Sequence, residues 1–265
     1  MEKQFVNAIF AQHQACAQCF QTEHIATYFV ELLGTLFPNF RSEPARDIQD
    51  LENAFERSKR VLAALIKTHA EDPKAVVESF YDRLPEVYAL LQEDVTAIYE
   101  GDPASVSREE VIKTYPGFFA IAAYRVAHLL LQQGVALVPR CITEYAHSRT
   151  GIDIHPAASI GRRFCIDHGT GVVIGETTEI GDDVKIYQGV TLGALSVEKS
   201  LANTKRHPTI GDRVVIYSGA TVLGGKTTIG EGSIIGGNVW LTEGVPANTQ
   251  VYYKAPNEHK MKAFN

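Results

Sequence analysis

The sequence predicts a chain in two parts, a helical first half followed by a parallel β-solenoid. Three observations predict it. Aliphatic residues recur every six positions through the second half, most glycines fall there, and the first half carries helix caps and helix formers instead. The pattern changes near residue 150. The expected division is therefore a helical domain over 1–150, a solenoid over 151–250 and a short tail over 251–265.

In the first half, Asp72-Pro73 reads as a helix start, with the carboxylate as N-cap and proline at the first helical position. Ser107 and Glu110 fit a capping box. The run "GFFAIAAYRVAHLLLQQG" is helix-forming throughout and stops at Gly134, an expected C-cap. Pro139 can open the last helix, "PRCITEYAHSRTG". Cys16 and Cys19 form a C-x-x-C near His13 and His24. Neither a second half-site nor a thioredoxin-like setting accompanies them, so they read as small residues on a helix.

In the second half, Ile154, Ile160 and Ile166 are six apart. So are Ile174, Ile180, Ile186 and Leu192, then Ile210, Ile216 and Val222, then Ile229, Ile235 and Leu241. A period of six fits neither a helix nor a simple alternating strand. It suits a coil with three sides of about six residues, each pointing one aliphatic inward. The phase slips at 166–174, across 192–210 and at 222–229. At such slips a loop can leave the coil, and "GALSVEKSLANTKRHP" is long and polar enough to be one.

Composition excludes several function classes. The net charge of −6 gives no electrostatic case for general nucleic-acid or anionic-membrane binding. No window approaches about 18 uninterrupted apolar residues, so no membrane span is expected. The start "MEKQFVNAIFAQHQ" lacks a signal-peptide pattern, and four cysteines make no disulfide framework. The expectation is a cytoplasmic protein with reduced thiols.

Chemistry concentrates in three stretches of the solenoid half, "GIDIHPAASIG", "CIDHGTG" and "TKRHPTIG". They carry Asp153, His155, Asp167, His168, Arg206 and His207. With a coil of about eighteen residues, His168 would meet Asp153 on the adjacent turn. A histidine backed by a carboxylate is a general base with a fixed tautomer. Two other readings stand beside it. His155, His168 and His207 could ligate a metal between subunits. Cys165 could be a nucleophile, although its place beside Ile166 reads as packing. "GATVLGGKTT" fails the phosphate-loop spacing, because Gly225 stands where lysine is needed. A solenoid has no natural pocket within one coil, which favours an oligomer with shared sites.

The stretches "GIDIHPAASIG", "IDHGTGVVIGETTEIGDDVKIYQGVTLGA" and "KRHPTIGDRVVIYSGATVLGG" closely resemble the bacterial serine O-acetyltransferases. "YPGFFAIAAYRVAHLLL" resembles the helix that joins their two domains, and the likeness runs from about Asp94 to Val251. The resemblance implies an all-helical N-terminal domain followed by a left-handed parallel β-helix of hexapeptide repeats. It implies acetyl transfer from acetyl-CoA to the hydroxyl of L-serine, with no metal. By motif position it implies His168 as base and Asp153 as its carboxylate partner. Asp102 and Asp167 would hold the serine amino group, and Arg206 and His207 its carboxylate. Gly193, Ala194, Ser218 and Gly237 would line the pantetheine arm. A trimer or dimer of trimers is implied as well.

Two departures from the family pattern qualify this. The 194–205 loop is long and poor in glycine, which leaves another acyl donor open. The tail ends in Asn265 where many relatives end in isoleucine, so no tight tail-mediated complex with O-acetylserine sulfhydrylase is expected. A metal-dependent lyase of the carbonic anhydrase type is the alternative from another class.

Overall fold

The computed structural model describes residues 2–15, 22–195 and 204–253. Cys16, Cys19, most of the long loop and the tail beyond Tyr253 lie outside the described residues. Among the described residues, seven α-helices occupy the first part: α1 (Lys3–Ala15), α2 (Thr22–Leu36), α3 (Ile48–Leu65), α4 (Pro73–Gly101), α5 (Arg108–Thr114), α6 (Pro116–Gln132) and α7 (Val138–Thr150). Their ends follow the local chemistry. The Asp72 carboxylate accepts from the Lys74 and Ala75 N–H groups at the start of α4. The Ser107 hydroxyl accepts from Glu110 N–H at the start of α5, while the Glu110 carboxylate accepts from Val106 N–H, one residue before the cap. Gly134 adopts a φ of 78° just past α6, and Pro139 stands in the first turn of α7.

The second part forms three sheets of parallel strands. One stacks β1 (Asp153–Ile154), β4 (Val173–Ile174), β7 (Thr191–Gly193), β10 (Thr221–Leu223) and β13 (Trp240–Leu241). A second stacks β2 (Ser159–Ile160), β5 (Glu179–Ile180), β8 (Thr209–Ile210) and β11 (Thr228–Ile229). The third stacks β3 (Cys165–Ile166), β6 (Lys185–Ile186), β9 (Val215–Ile216), β12 (Ile234–Ile235) and β14 (Gln250–Val251). From β1 to β13 consecutive strands visit the three sheets in turn, so the chain winds as a three-sided coil. The expected sides of six residues are present, but only two or three residues of each join a ladder. The remainder turns the corner, where left-handed residues such as Gly189, Gly219 and Asn238 bend the chain.

The periodic aliphatics point inward and are buried from Ile154 to Ile235, forming one column. Leu241, on the last complete turn, is only partly covered. The column is continuous with the helical core through α6, whose Phe118, Ile121, Tyr124 and Val126 are buried. A buried ion pair fastens the two parts. Arg125 donates through Nε and Nη2 to both oxygens of Asp94 on α4, each at 2.9 Å. The same guanidinium donates to the Ile160 and Gly161 carbonyls, and Asp94 accepts from Phe164 N–H at 2.9 Å. The Tyr124 hydroxyl adds a bond to the Ala158 carbonyl at 2.6 Å.

Coil length varies, and this matters for the site. A turn takes 20 residues from Asp153 to Val173 and 18 from Val173 to Thr191. It takes 30 from Thr191 to Thr221, across the long loop, and 19 from Thr221 to Trp240. The corner that follows the third sheet takes a step of five from Ile186 to Thr191, from Ile216 to Thr221 and from Ile235 to Trp240. From Ile166 to Val173 the step is seven. The two extra residues fall where the sequence places Asp167, His168 and Gly169.

Candidate active site

At that longer corner the backbone turns left-handed three times, at His168 (φ 59°), Gly169 (φ 89°) and Gly171 (φ 81°). A histidine seldom adopts this conformation, and its cost is held by the surrounding ladder. The effect is to lift the imidazole off the coil, where its side chain is 69% exposed. Beside it, the Asp167 side chain is only 8% exposed. His168 Nδ1 and Asp167 Oδ1 are 3.7 Å apart, an ion-pair distance rather than a hydrogen bond. Asp167 takes its close contact from Lys185 Nζ at 3.0 Å, contributed by β6 one coil away.

Asp102, the C-cap of α4, faces the same corner. Tyr115, at the start of α6, donates its hydroxyl to Asp102 Oδ2 at 2.6 Å, and Ala104 N–H donates to Oδ1 at 2.8 Å. These bonds, with smaller contributions from Lys185 and His168, hold the Asp102 carboxyl below the usual carboxylate range. The Tyr115 hydroxyl is pushed up to about 12, chiefly by its bond to Asp102. Cys165 is buried beneath this corner, and burial pushes its thiol up to about 12. It is a packing residue and not a nucleophile.

The next corner, between the first and second sheets, gathers a second group. The His207 ring lies over Gly175, where an added Cβ would stand 2.1 Å from Nε2. His207 Nδ1 accepts from Thr177 N–H at 3.1 Å and meets the Thr177 hydroxyl at 2.9 Å. That hydroxyl also accepts from the Arg206 and His207 N–H groups. The Arg206 guanidinium is paired with Glu176. With Nδ1 held as an acceptor, neutral His207 carries its proton on Nε2. Burial, reinforced by Arg206, pulls its pKa down to about 4. His155 shares this corner, and burial lowers its pKa too, with Arg140 next in effect.

The low pKa of His207 has a measurable consequence. An imidazole titrating near 6.5 when unfolded and near 4 when folded binds its proton preferentially in the unfolded chain. Its contribution to stability is complete above pH about 6.5 and is lost as the pH falls toward about 4. Urea unfolding across that window is expected to show declining stability, and His207→Gln should flatten the decline.

Within one chain Asp153 meets Arg140 Nη1 at 3.5 Å, and no hydrogen bond or ion pair joins it to His168 among the described residues. The turn of 20 residues sets Asp153 against Val173, five positions past His168. The three histidines do not converge within one chain either, since His168 stands at a different corner from His155 and His207. Among the described residues, Glu144, His147 and Asp153 have metal-like spacing, but Arg140 pairs with both Glu144 and Asp153. Gly193 ends β7, where an added Cβ would meet Leu223 Cδ2 at 2.9 Å, and Ala194 follows it. Ser218 and Gly237 stack one coil apart, an added Cβ on Gly237 lying 3.2 Å from the Ser218 carbonyl.

A cavity of about 820 Å³ lies among α2, α3 and α4, lined by Phe55, Tyr81 and Tyr88, and holds none of the candidate residues. Lys185, Tyr115, Glu176 and Arg140 were not singled out in the sequence.

A three-sided coil of six-residue sides, with an exposed histidine among carboxylates at one corner, fits the class of proteins built on hexapeptide repeats. No protein-family model matches the chain. The chain is 48% identical over 216 residues to the plasmid serine acetyltransferase of Synechococcus elongatus, covering 80% of this chain and 66% of that relative's length. The crystal structure of serine acetyltransferase isoform 3 from Entamoeba histolytica, in complex with cysteine, superposes with a TM-score of 0.80 at 37% identity. That match covers 89% of this chain and 84% of the other. The Neisseria gonorrhoeae serine acetyltransferase in complex with serine gives a TM-score of 0.62 at 26% identity, over 89% of this chain and 96% of that one. The chain belongs to the serine acetyltransferase family.

Proposed function

We propose that this chain transfers the acetyl group of acetyl-CoA to the hydroxyl of L-serine, giving O-acetyl-L-serine and CoA. Its solenoid, residues 151–250, would be a left-handed parallel β-helix acting as the acyltransferase domain, following a helical domain over 1–150. The carrying observation is the lifted, exposed His168 beside Asp167 and Asp102, with Arg206 and His207 at the next corner. The complex of the Neisseria relative with serine supports the acceptor.

The chemistry follows from the side chains. Serine is a zwitterion at neutral pH, so its site needs acids at one end and a cation at the other. Asp102 and Asp167 supply the acids. Arg206 supplies the charge, and neutral His207 supplies an Nε2–H donor. His168 takes the hydroxyl proton as the serine oxygen attacks the thioester carbonyl. Backbone N–H groups near Gly193 and Ala194 are candidates to stabilise the tetrahedral oxyanion. Collapse breaks the carbon–sulfur bond, and the imidazolium returns its proton to the departing CoA thiolate. Gly193, Ala194, Ser218 and Gly237 would line the pantetheine arm, where a Cβ at either glycine would crowd the wall.

The two corners would complete one site across a subunit boundary, with Asp153 of one subunit orienting His168 of the next. A threefold oligomer is therefore expected, and light scattering that returned a monomer at working concentration would contradict it. Arg206→Ala should raise KM for serine at least about tenfold, with KM for acetyl-CoA little changed. Initial-rate kinetics check this, and equal changes in both constants would point to loop disorder. The direct test of the function is CoA release from acetyl-CoA with and without L-serine; release that ignores serine would overturn it.

A further inference from the structure

Asp167 is assigned to the acceptor's ammonium, yet an ammonium already sits on it. Lys185 Nζ lies 3.0 Å from Asp167 Oδ2. It also donates to the Gly101 carbonyl at 2.5 Å and stands 4.4 Å from the centre of the Tyr187 ring. The lysine side chain is only 16% exposed, so it is part of the corner's wall and not a solvated charge passing by. Register puts it there. Lys185 pairs with Cys165 across the 20-residue turn, and Asp167 follows Cys165 by two, so both side chains leave the same sheet face.

The charge count changes accordingly. Asp102 and Asp167 alone present two negative charges to an incoming ammonium. With Lys185 among them the corner presents one, apart from His168, and one oxygen of Asp167 already faces an ammonium. The acceptor's ammonium must then rely on Asp102, which Tyr115 and Ala104 hold in place, and it meets a like charge at Asp167.

We propose that Lys185 is a specificity-determining residue of the acceptor site, an internal ammonium that weakens the site's preference for acceptors bearing an α-amino group. The proposal rests on the reading of Asp102 and Asp167 as the amino-binding acids. Its chemical consequence is a broadened acceptor class: short β-hydroxy carboxylates without the amino group should compete with serine better than two bare acids would allow. Lys185 is not placed in the proton transfer, and no bond forms or breaks at it.

The test compares kcat/KM for L-serine with kcat/KM for β-hydroxypropionate, which keeps the hydroxyl and the carboxylate and lacks only the amino group. Acetyl-CoA is the donor, and the full chain is used. Lys185→Gln retains a donor for the Gly101 carbonyl but removes the charge. It is expected to raise the serine preference about tenfold, the scale of one unit charge at a few ångströms in a partly screened site. Lys185→Arg, which keeps the charge, should hold the wild-type preference. A preference within about twofold of wild type in Lys185→Gln overturns the proposal, and so does a rise of equal size in both variants, which would mark Lys185 as an anchor for Gly101. If the wild-type chain acetylates neither acceptor, the proposed function fails and not this inference alone; turnover of serine with an unmoved preference fails the inference by itself.

Discussion

His168→Ala is expected to lower kcat for serine acetylation about 10²–10⁴-fold, the usual contribution of a positioned general base. The His168 side chain is largely exposed, so truncating it opens no cavity in the buried column. The fold and acetyl-CoA binding should therefore persist, as circular dichroism and calorimetric titration with CoA would show. Near-normal turnover in this variant would remove His168 from the proton transfer. Asp153→Asn should cost less than His168→Ala, because an orienting carboxylate fixes the ring without taking the proton itself. A larger loss at Asp153 would give the base's role to another group.

The largest effect on stability is expected at Asp94→Ala. Asp94 is fully buried and binds both Arg125 and the Phe164 N–H. Burial alone pushes its carboxyl up, and Arg125 works against that. Removing the acid leaves a buried guanidinium with only carbonyl partners, a loss of about 3–5 kcal/mol for a broken buried pair. The double variant Asp94→Leu with Arg125→Met leaves no orphaned charge and should recover much of the loss. Urea unfolding of the three proteins measures this, and a single variant as stable as the double one would show that the pair contributes little.

The coil was legible because inward aliphatics must repeat with the side length, whatever the corners do. Ile154 to Ile235 therefore announced the buried column. The slip at 166–174 was visible too, as a break in phase. Its meaning was not, because a break in phase does not say which residues are raised or where they point. The same slip bears on Asp153: a separation of nearly one coil suggested that it nears His168, and the turn of 20 sets it against Val173, five positions further on. Lys185 was hidden for a related reason. Nothing near it in sequence suggests a partner, and only the stacking of one turn on another brings it to Asp167. Asp102 and Tyr115 meet because α4 ends and α6 begins at the same corner, a matter of helix packing that no periodicity records.

The longer step at the His168 corner says something about how such a protein acquires chemistry. On this coil the sides are closed to change, since every inward residue is committed to the column, while the corners are open. Residues added at a corner leave the turns above and below in register. The pair that lifts His168 is one such addition, and the 30-residue turn that delivers Arg206 and His207 is another. Function here is written as differences in length between neighbouring turns, over a frame whose composition barely changes. Laying the turns of one chain beside each other, instead of laying one chain beside another, then marks the two corners where the candidate groups stand.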